Sequence, residues 1–212
     1  MSVAMRNKMD RILVDCDDVL LNWTEGFKVF LERHKGIKIS GTPQTWDLSQ
    51  WTKLSKEKTM ALVEYFNQET EEFGQLTPTK NSELFLGDLH TQGFGISVIT
   101  SCSDDIDCIK RRQDNLTNVF GDIFEDIICL PLGVSKGDYL KKFEPSFWVE
   151  DNYHNCVLGK SLGHNGIIIR HDHNRDFEKN CHSDLKWTND WHEINSIIEV
   201  ENTLNNSQSF KV

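Results

Sequence analysis

The sequence predicts an α/β fold, a Rossmann-like parallel sheet with helices on both faces and a small helical insertion after the first strand. Three observations predict it. Short apolar runs alternate with helical patterns along the chain. Most of those runs exit into a carboxylate or a hydroxyl. One gap, between the first and second runs, is far longer than the rest. Strands alternating with helices at this spacing imply βαβ units and a parallel sheet covered on both faces. Strand twist then makes the crossovers right-handed.

The elements follow in order. Arg11-Ile-Leu-Val-Asp15 is a buried-strand run that ends in a carboxylate, and Ile96-Ser-Val-Ile-Thr100 is the second strand. Ile127 to Leu130, Phe147-Trp-Val-Glu150 and Gly166-Ile-Ile-Ile-Arg170 are the third, fourth and fifth. Helical patterns cover Asn81 to Gln92, Asp104 to Phe120, Ser135 to Phe143 and Tyr153 to Leu162. The long gap, residues 22–81, has helical patterns at Trp23 to His34 and Ser55 to Phe73, with a Gly/Pro/Thr/Ser-rich middle from Gly36 to Ser49. Connections of that length are uncommon unless functional. The domain division expected is therefore a core of residues 1–21 and 82–212 and a helical cap of residues 22–81. The cap's aromatics, Trp23, Phe27, Phe30, Trp46, Trp51, Tyr65, Phe66 and Phe73, mostly form its own small core, with one or two left to line a pocket. The tail, Asn202 to Val212, is polar and expected to fray.

Composition narrows the function. The 212 residues carry 23 basic and 33 acidic side chains, a net charge of −10. That balance argues against a protein coating a nucleic acid polymer. It leaves room for a small anionic substrate, because a local cation cluster or a metal overrides the net charge. No apolar stretch approaches the roughly 20 residues of a membrane span. Met1 to Asp10 has no apolar signal-peptide core. The cysteines Cys16, Cys102, Cys108, Cys129, Cys156 and Cys181 form no C-x-x-C pair. They read as reduced, mostly buried thiols of a cytoplasmic protein.

Ligands of open parallel sheets bind beyond the carboxyl ends of the strands. The strand exits here carry Asp15 with Asp17 and Asp18, Thr100 with Ser101, and Glu150 with Asp151, while Lys136 opens the helix after the third strand. Each alone is an ordinary helix cap; together they are a reactive edge. Clustered carboxylates call for a hard divalent cation such as Mg²⁺. A carboxylate beside such a cation can attack phosphorus, and a second carboxyl two residues on can move the proton. A hydroxyl and a lysine can hold the phosphoryl oxygens.

Four of these segments resemble the motifs of the haloacid dehalogenase-like (HAD) superfamily. Ile12-Leu-Val-Asp15-Cys-Asp17-Asp18-Val-Leu20 resembles its first motif, Ile96 to Thr100 its second, Ser135-Lys136-Gly137-Asp138 its third and Phe147-Trp-Val-Glu150-Asp151 its fourth. The insertion falls where that superfamily places its C1 cap. The resemblance implies a HAD core with a C1 cap, Asp15 as nucleophile and Asp17 as general acid/base. It implies a phosphoryl site of Asp18, Thr100, Ser101 and Lys136. It also implies Mg²⁺ held by Asp15, Asp17 through its carbonyl, and Asp151, with Glu150 as a further ligand. Superfamily dehalogenases lack the acid at the position of Asp17, so the resemblance is to the phosphatases. Asn155 stands where many members carry a further aspartate.

The C-terminal third resembles the 5′(3′)-deoxyribonucleotidase family. His173-Asn174, then Lys186-Trp187-Thr-Asn-Asp190-Trp191-His-Glu-Ile194, is similar to that family's closing pattern. So are Trp23 with Gly26-Phe27 near the start, and Phe73 with Leu76 and Pro78 at the cap exit. This implies a nucleobase pocket in the cap, with Phe73 and Trp46 as its aromatic walls. The function expected is a Mg²⁺-dependent phosphomonoesterase working through an aspartyl-phosphate, a 5′-nucleotidase first. Alternatives are the same chemistry on a sugar phosphate, another metabolite or a nucleic-acid end, and a non-catalytic binding protein on the same fold. The partner expected is a small phosphorylated substrate, with no membrane or long nucleic acid, and a homodimer left open.

Four further features have plain structural readings. His171-Asp172-His173 lacks a third metal ligand and reads as solvated loop histidines. Lys110-Arg111-Arg112 reads as the exposed face of its helix. Trp187 and Trp191, four apart, either share a helical face or straddle a helix start, and pack on the core. Cys16 reads as a buried filler between two aspartates rather than a nucleophile.

Overall fold

A computed structural model describes residues 10–180 and 184–209. Cys181 lies outside them. The strands are β1 (Arg11–Val14), β2 (Gly95–Ser101), β3 (Phe124–Leu130), β4 (Phe147–Glu150), β5 (Asn165–Ile169) and β6 (Lys186–Thr188). They form one sheet in the order β3-β2-β1-β4-β5-β6, every pair parallel. The helices are α1 (Trp23–Lys35), α2 (Leu48–Thr52), α3 (Lys56–Glu69), α4 (Ser82–Thr91), α5 (Ile106–Phe120), α6 (Gly137–Leu140), α7 (Tyr153–Ser161), α8 (Arg175–Asn180) and α9 (Trp191–Ser209). The expected α/β class and the first five strands are present. Among the described residues no helix is long and apolar enough to cross a membrane.

Side-chain alternation covers both faces of the sheet. Ile12 and Val14 on β1 join Ile96, Val98, Phe147 and Val149 in one apolar cluster. Leu13 joins Ile99, Leu130 and Trp148 in another. Period-2 alternation with both sets buried is what a strand covered on two faces requires. Helix α7 lies close against β4 because Gly159 has no side chain: a Cβ there would sit 2.3 Å from the Trp148 ring.

Residues 22–81 hold α1, α2, α3 and a 3-10 turn at Glu71–Gln75. The single helix expected over Ser55 to Phe73 is broken at Thr70, whose backbone is extended and whose hydroxyl donates to the Phe66 carbonyl, 2.7 Å. Trp23, Phe27, Phe30, Phe66 and Phe73 pack against one another, with neighbouring ring centroids 4.9–6.1 Å apart. The segment's composition predicts its own small core; instead these aromatics are continuous with the buried cluster of Ile12, Val14, Ile96 and Val149 on the sheet.

The C-terminal region departs from expectation twice. Trp187 sits on β6, a strand not foreseen, and Trp191 opens α9, so the two tryptophans straddle a helix start. The polar stretch Asn202–Ser209 continues α9 rather than fraying. Trp191, Ile194 and Ile198 form its buried stripe, and the Trp191 indole N–H donates to the Val19 carbonyl, 2.9 Å. The five described cysteines are free; Cys16, Cys102, Cys108 and Cys156 are buried and Cys129 partly so.

The strand order reverses beside β1, which has β2 on one side and β4 on the other. A crevice at that point, beyond the carboxyl ends of β1 and β4, is where such sheets hold ligands.

Candidate active site

Asp15 follows β1 directly, and Glu150 and Asp151 end and follow β4. The register pairs Val14 with Val149, and the Asp15 amide donates to the Val149 carbonyl at 2.9 Å. Carboxylate oxygens of Asp15, Glu150 and Asp151 therefore lie within 4.8 Å of one another, all buried. Lys136, at the start of α6, reaches into the group. Its Nζ is 2.6 Å from Asp15 Oδ1 and 2.9 Å from Glu150 Oε2. Burial works against its charge, but the two carboxylates outweigh burial and hold the ammonium protonated.

Three carboxyls share that one cation. Burial, followed by the charge of Asp15, pushes the Asp151 carboxyl up to about 7 and pushes Glu150 up as well. Asp151 Oδ1 is buried with no hydrogen-bond partner. An orphaned carboxylate oxygen beside excess negative charge fits a hard divalent cation, which takes oxygen ligands and often keeps only one or two protein carboxylates. Asp15 and Asp151 suit that role. Glu150 offers an oxygen to the same group. Its Oε2 also accepts from Lys136 and its Oε1 from the Asn152 amide at 3.1 Å, so it orients Lys136 as well.

The loop after β5 supports Asp151 from behind. Asn174 Nδ2 donates to the carbonyls of Asp151 and Ile169 at 2.8 and 2.7 Å. His173 Nε2 lies 3.1 Å from Asp151 Oδ2, and His171 Nε2 donates to the Asp18 carbonyl at 2.9 Å. These are not solvated loop histidines: the His173 ring is largely buried, and burial lowers its pKa. Asn174 and His171 thus fasten this loop to the loops after β4 and β1. Asn155 lines the cavity from the first turn of α7.

Asp17 meets a different cation. Arg112 Nη2 lies 2.5 Å from Asp17 Oδ1, and Nη1 donates to Cys16 Sγ at 3.2 Å. The guanidinium sits 4.1 Å from the centre of the Phe73 ring. Arg112 is fully buried, which corrects the reading of Lys110-Arg111-Arg112 as an exposed face. The signal was present: Cys108, Arg112, Leu116 and Phe120 form one i,i+4 row, the apolar stripe of α5. Burial pushes the Asp17 carboxyl up to about 7 against the pull of Arg112. Cys16 is the buried filler expected, its thiol pushed up first by burial.

Five other expectations come out unevenly. Asp18 adopts a left-handed backbone, φ 56°. Its amide donates to Leu21 O and its carboxylate accepts from the Thr24 amide and hydroxyl, so neither is free for a phosphoryl group. It holds the start of α1, whose N-cap Asn22 makes no side-chain cap bond. Thr100 is fully buried with its hydroxyl unpartnered, while Ser101 lines the cavity. Phe73 is also fully buried and is absent from the cavity wall; it belongs to the aromatic core beneath Arg112. Trp46 does line the cavity, 57% exposed, its ring edge-on to His173 at 5.2 Å.

The cavity over these strand ends measures about 590 Å³. Asp15, Asp17, Lys136 and Asp151 lie on its floor side, and Trp46, Met60 and Val63 of residues 22–81 line it from across. Thr42 Oγ1 donates to Asp172 Oδ2 at 2.5 Å, tying the 42–46 loop to the loop that carries His173.

No family model matches the chain. A 32.4 kDa protein from the Gp30-rIII intergenic region of Enterobacteria phage T4 is 23% identical over 154 residues, 68% of this chain and 55% of that protein. The chain thus spans about half the length of the curated relative it matches. Among solved structures, a haloacid dehalogenase-like family hydrolase from Streptococcus pneumoniae superposes with a TM-score of 0.64 at 14% identity, covering 90% of this chain and 98% of that one. The L-2-haloacid dehalogenase of Xanthobacter autotrophicus gives 0.58 at 10% identity, over 90% and 98%. What these likenesses share with the chain is architecture: it has the fold of the haloacid dehalogenase-like hydrolases.

Proposed function

We propose that this chain is a Mg²⁺-dependent phosphomonoesterase acting through an aspartyl-phosphate, with a nucleoside monophosphate as its substrate. The observation that carries the reading is the pairing of Asp15, in a buried carboxylate group with Lys136, with a second carboxyl at Asp17 on the same cavity. A haloacid dehalogenase needs only the nucleophile; an acid two residues on serves the phosphatases.

Asp15 and Asp151, with the Asp17 carbonyl, would hold Mg²⁺, which would supply charge neutralisation for the phosphoryl oxygens. An Asp15 carboxylate oxygen attacks phosphorus, the ester P–O bond breaks, and Asp17 gives its proton to the leaving alcohol oxygen. Lys136, oriented by Glu150, offsets the charge on the transferring group. Water then attacks the phosphorus of the Asp15 acyl phosphate while Asp17 takes back a proton. Inorganic phosphate leaves and the Asp15 carboxylate is restored. Asp17 must be protonated for the first step and ionised for the second, and a carboxyl held near neutrality suits both. Ser101 is the cavity hydroxyl available to the phosphoryl group.

Residues 22–81 act as the cap in this reading. The exposed Trp46 indole and the apolar side chains of Met60 and Val63 offer a planar leaving group a stacking wall. The test is phosphate release from a panel of nucleoside and deoxynucleoside monophosphates, sugar phosphates and p-nitrophenyl phosphate, with Mg²⁺ or with chelator. We expect metal-dependent release that favours nucleotides, lost in Asp15→Asn, and a raised KM for nucleotides in Trp46→Ala. Equal turnover of sugar phosphates would remove the nucleotide assignment. Full activity in Asp15→Asn would remove the covalent mechanism.

A further inference from the structure

We infer that Arg112 is a positioning residue of this reaction: it fixes the carboxyl of Asp17 for proton transfer and couples that carboxyl to the seating of residues 22–81. The inference rests on the phosphatase reading above.

The geometry is specific. Arg112 is fully buried, and its charged contact is Asp17 Oδ1. That single contact leaves Asp17 Oδ2 with no hydrogen-bond partner among the described residues, on a residue that lines the cavity. One oxygen is anchored and the other is available to a leaving group or a water. A buried guanidinium is costly unless paired, and a merely structural arginine gains most by binding a carboxylate through both oxygens. Here the Cys16 thiol takes the other amino group.

The same face of α5 grips the exit of the 22–81 segment. Asn115 accepts from the Leu76 amide and donates to the Leu76 carbonyl, both at 3.0 Å. Arg111 donates to the Gln68 carbonyl. Phe73, between those points, lies under the Arg112 guanidinium. Any displacement of the exit turn therefore moves the ring on which Arg112 rests, and with it the anchor of Asp17. Nothing comparable joins the 22–81 segment to Lys136 among the described contacts.

The test compares kcat/KM on p-nitrophenyl phosphate with kcat/KM on the alkyl phosphate turned over best in the panel above. The nitrophenolate leaves without a proton; an alkoxide does not. We expect Arg112→Met to lower the alkyl value at least about 10-fold more than the aryl value, within the range an acid/base group commands. Arg112→Lys should recover part of the difference. In an Asp17→Asn background, Arg112→Met should add little, since the two act as one unit. Equal losses on both esters, or a fully additive loss in the Asp17→Asn background, would make Arg112 a structural staple and overturn the inference. Should Arg112→Met fail to fold, the ester ratio in Arg112→Lys decides alone. A wild-type protein inert toward both esters would instead overturn the phosphatase reading, and the inference with it.

Discussion

Asp15 and Asp17 stand two residues apart, yet their cations arrive from different parts of the fold. Lys136 comes from the loop after β3 and is divided between Asp15 and Glu150, with Asp151 close by. Arg112 comes from the middle of α5 and serves Asp17 alone, roofed by an aromatic ring. The first group carries more negative than positive charge and keeps an unsatisfied oxygen. The second is a one-to-one pair that anchors one Asp17 oxygen and leaves the other facing the cavity. One turn of chain thus separates a site built to receive a cation from a site that already has one.

The largest effect expected from this contrast is on stability. Lys136→Met strands three buried carboxyls without a cation, and breaking a buried pair from one side costs about 3–5 kcal/mol. Urea denaturation should show that loss in chelator and a partial recovery with Mg²⁺. Arg112→Met should gain from Mg²⁺ only what the wild-type protein gains, because its carboxyl–Lys136 group is intact, whereas Lys136→Met should gain more. An equal gain from Mg²⁺ in both variants would erase the distinction.

A smaller effect sharpens it. A ligand at about 100 times its Kd stabilises by about 2.7 kcal/mol. Mg²⁺ should therefore raise the melting temperature of the wild-type protein and leave that of Asp151→Asn unmoved. An equal rise in both would take Asp151 out of the metal site.

The smallest effect concerns a buried group with no charge to balance. His164 Nδ1 accepts from the Ser146 amide at 3.2 Å and its Nε2 bonds the Leu140 carbonyl at 3.1 Å, an arrangement that needs the neutral ring. Burial lowers its pKa from the ordinary 6.5. The unfolded chain then binds the proton first as pH falls, so this contribution is full above 6.5 and is lost below it. The melting temperature should fall on acidification through that range, and less so in His164→Asn. An identical pH dependence in the two would take His164 out of the fall; the strand-end carboxyls do not supply it, since carboxyls pushed up by burial gain stability as pH falls.

How much of this was legible follows from where each residue sits. Asp15, Asp151 and Lys136 lie at strand exits or helix starts, and the alternation of apolar runs marks those positions directly. Trp46 was named only through the family resemblance, and its place on the cavity wall comes from the structure. Arg112 was missed because three consecutive basic residues look solvated, although only the i,i+4 row decides which of them faces inward. Phe73 was misplaced for the converse reason: an aromatic near a cap exit says nothing of whether it faces the cavity or the core. The bond from Lys136 to Glu150 was not foreseen, because the two lie 14 positions apart and no local pattern joins them. Strand β6 is three residues long, too short for any periodicity to show.

The hydrogen bond from Trp191 to Val19 spans 172 positions. Strand β1 likewise lies between β2 and β4, and its neighbour β4 begins at Phe147. During synthesis, the turn that carries the nucleophile must therefore wait for chain made long after it. Long-range contacts of this kind are slow to form and leave early segments exposed in the interval. A nascent chain arrested before α9 would carry Asp15 and Asp17 in its sequence while lacking the anchor that shapes their turn.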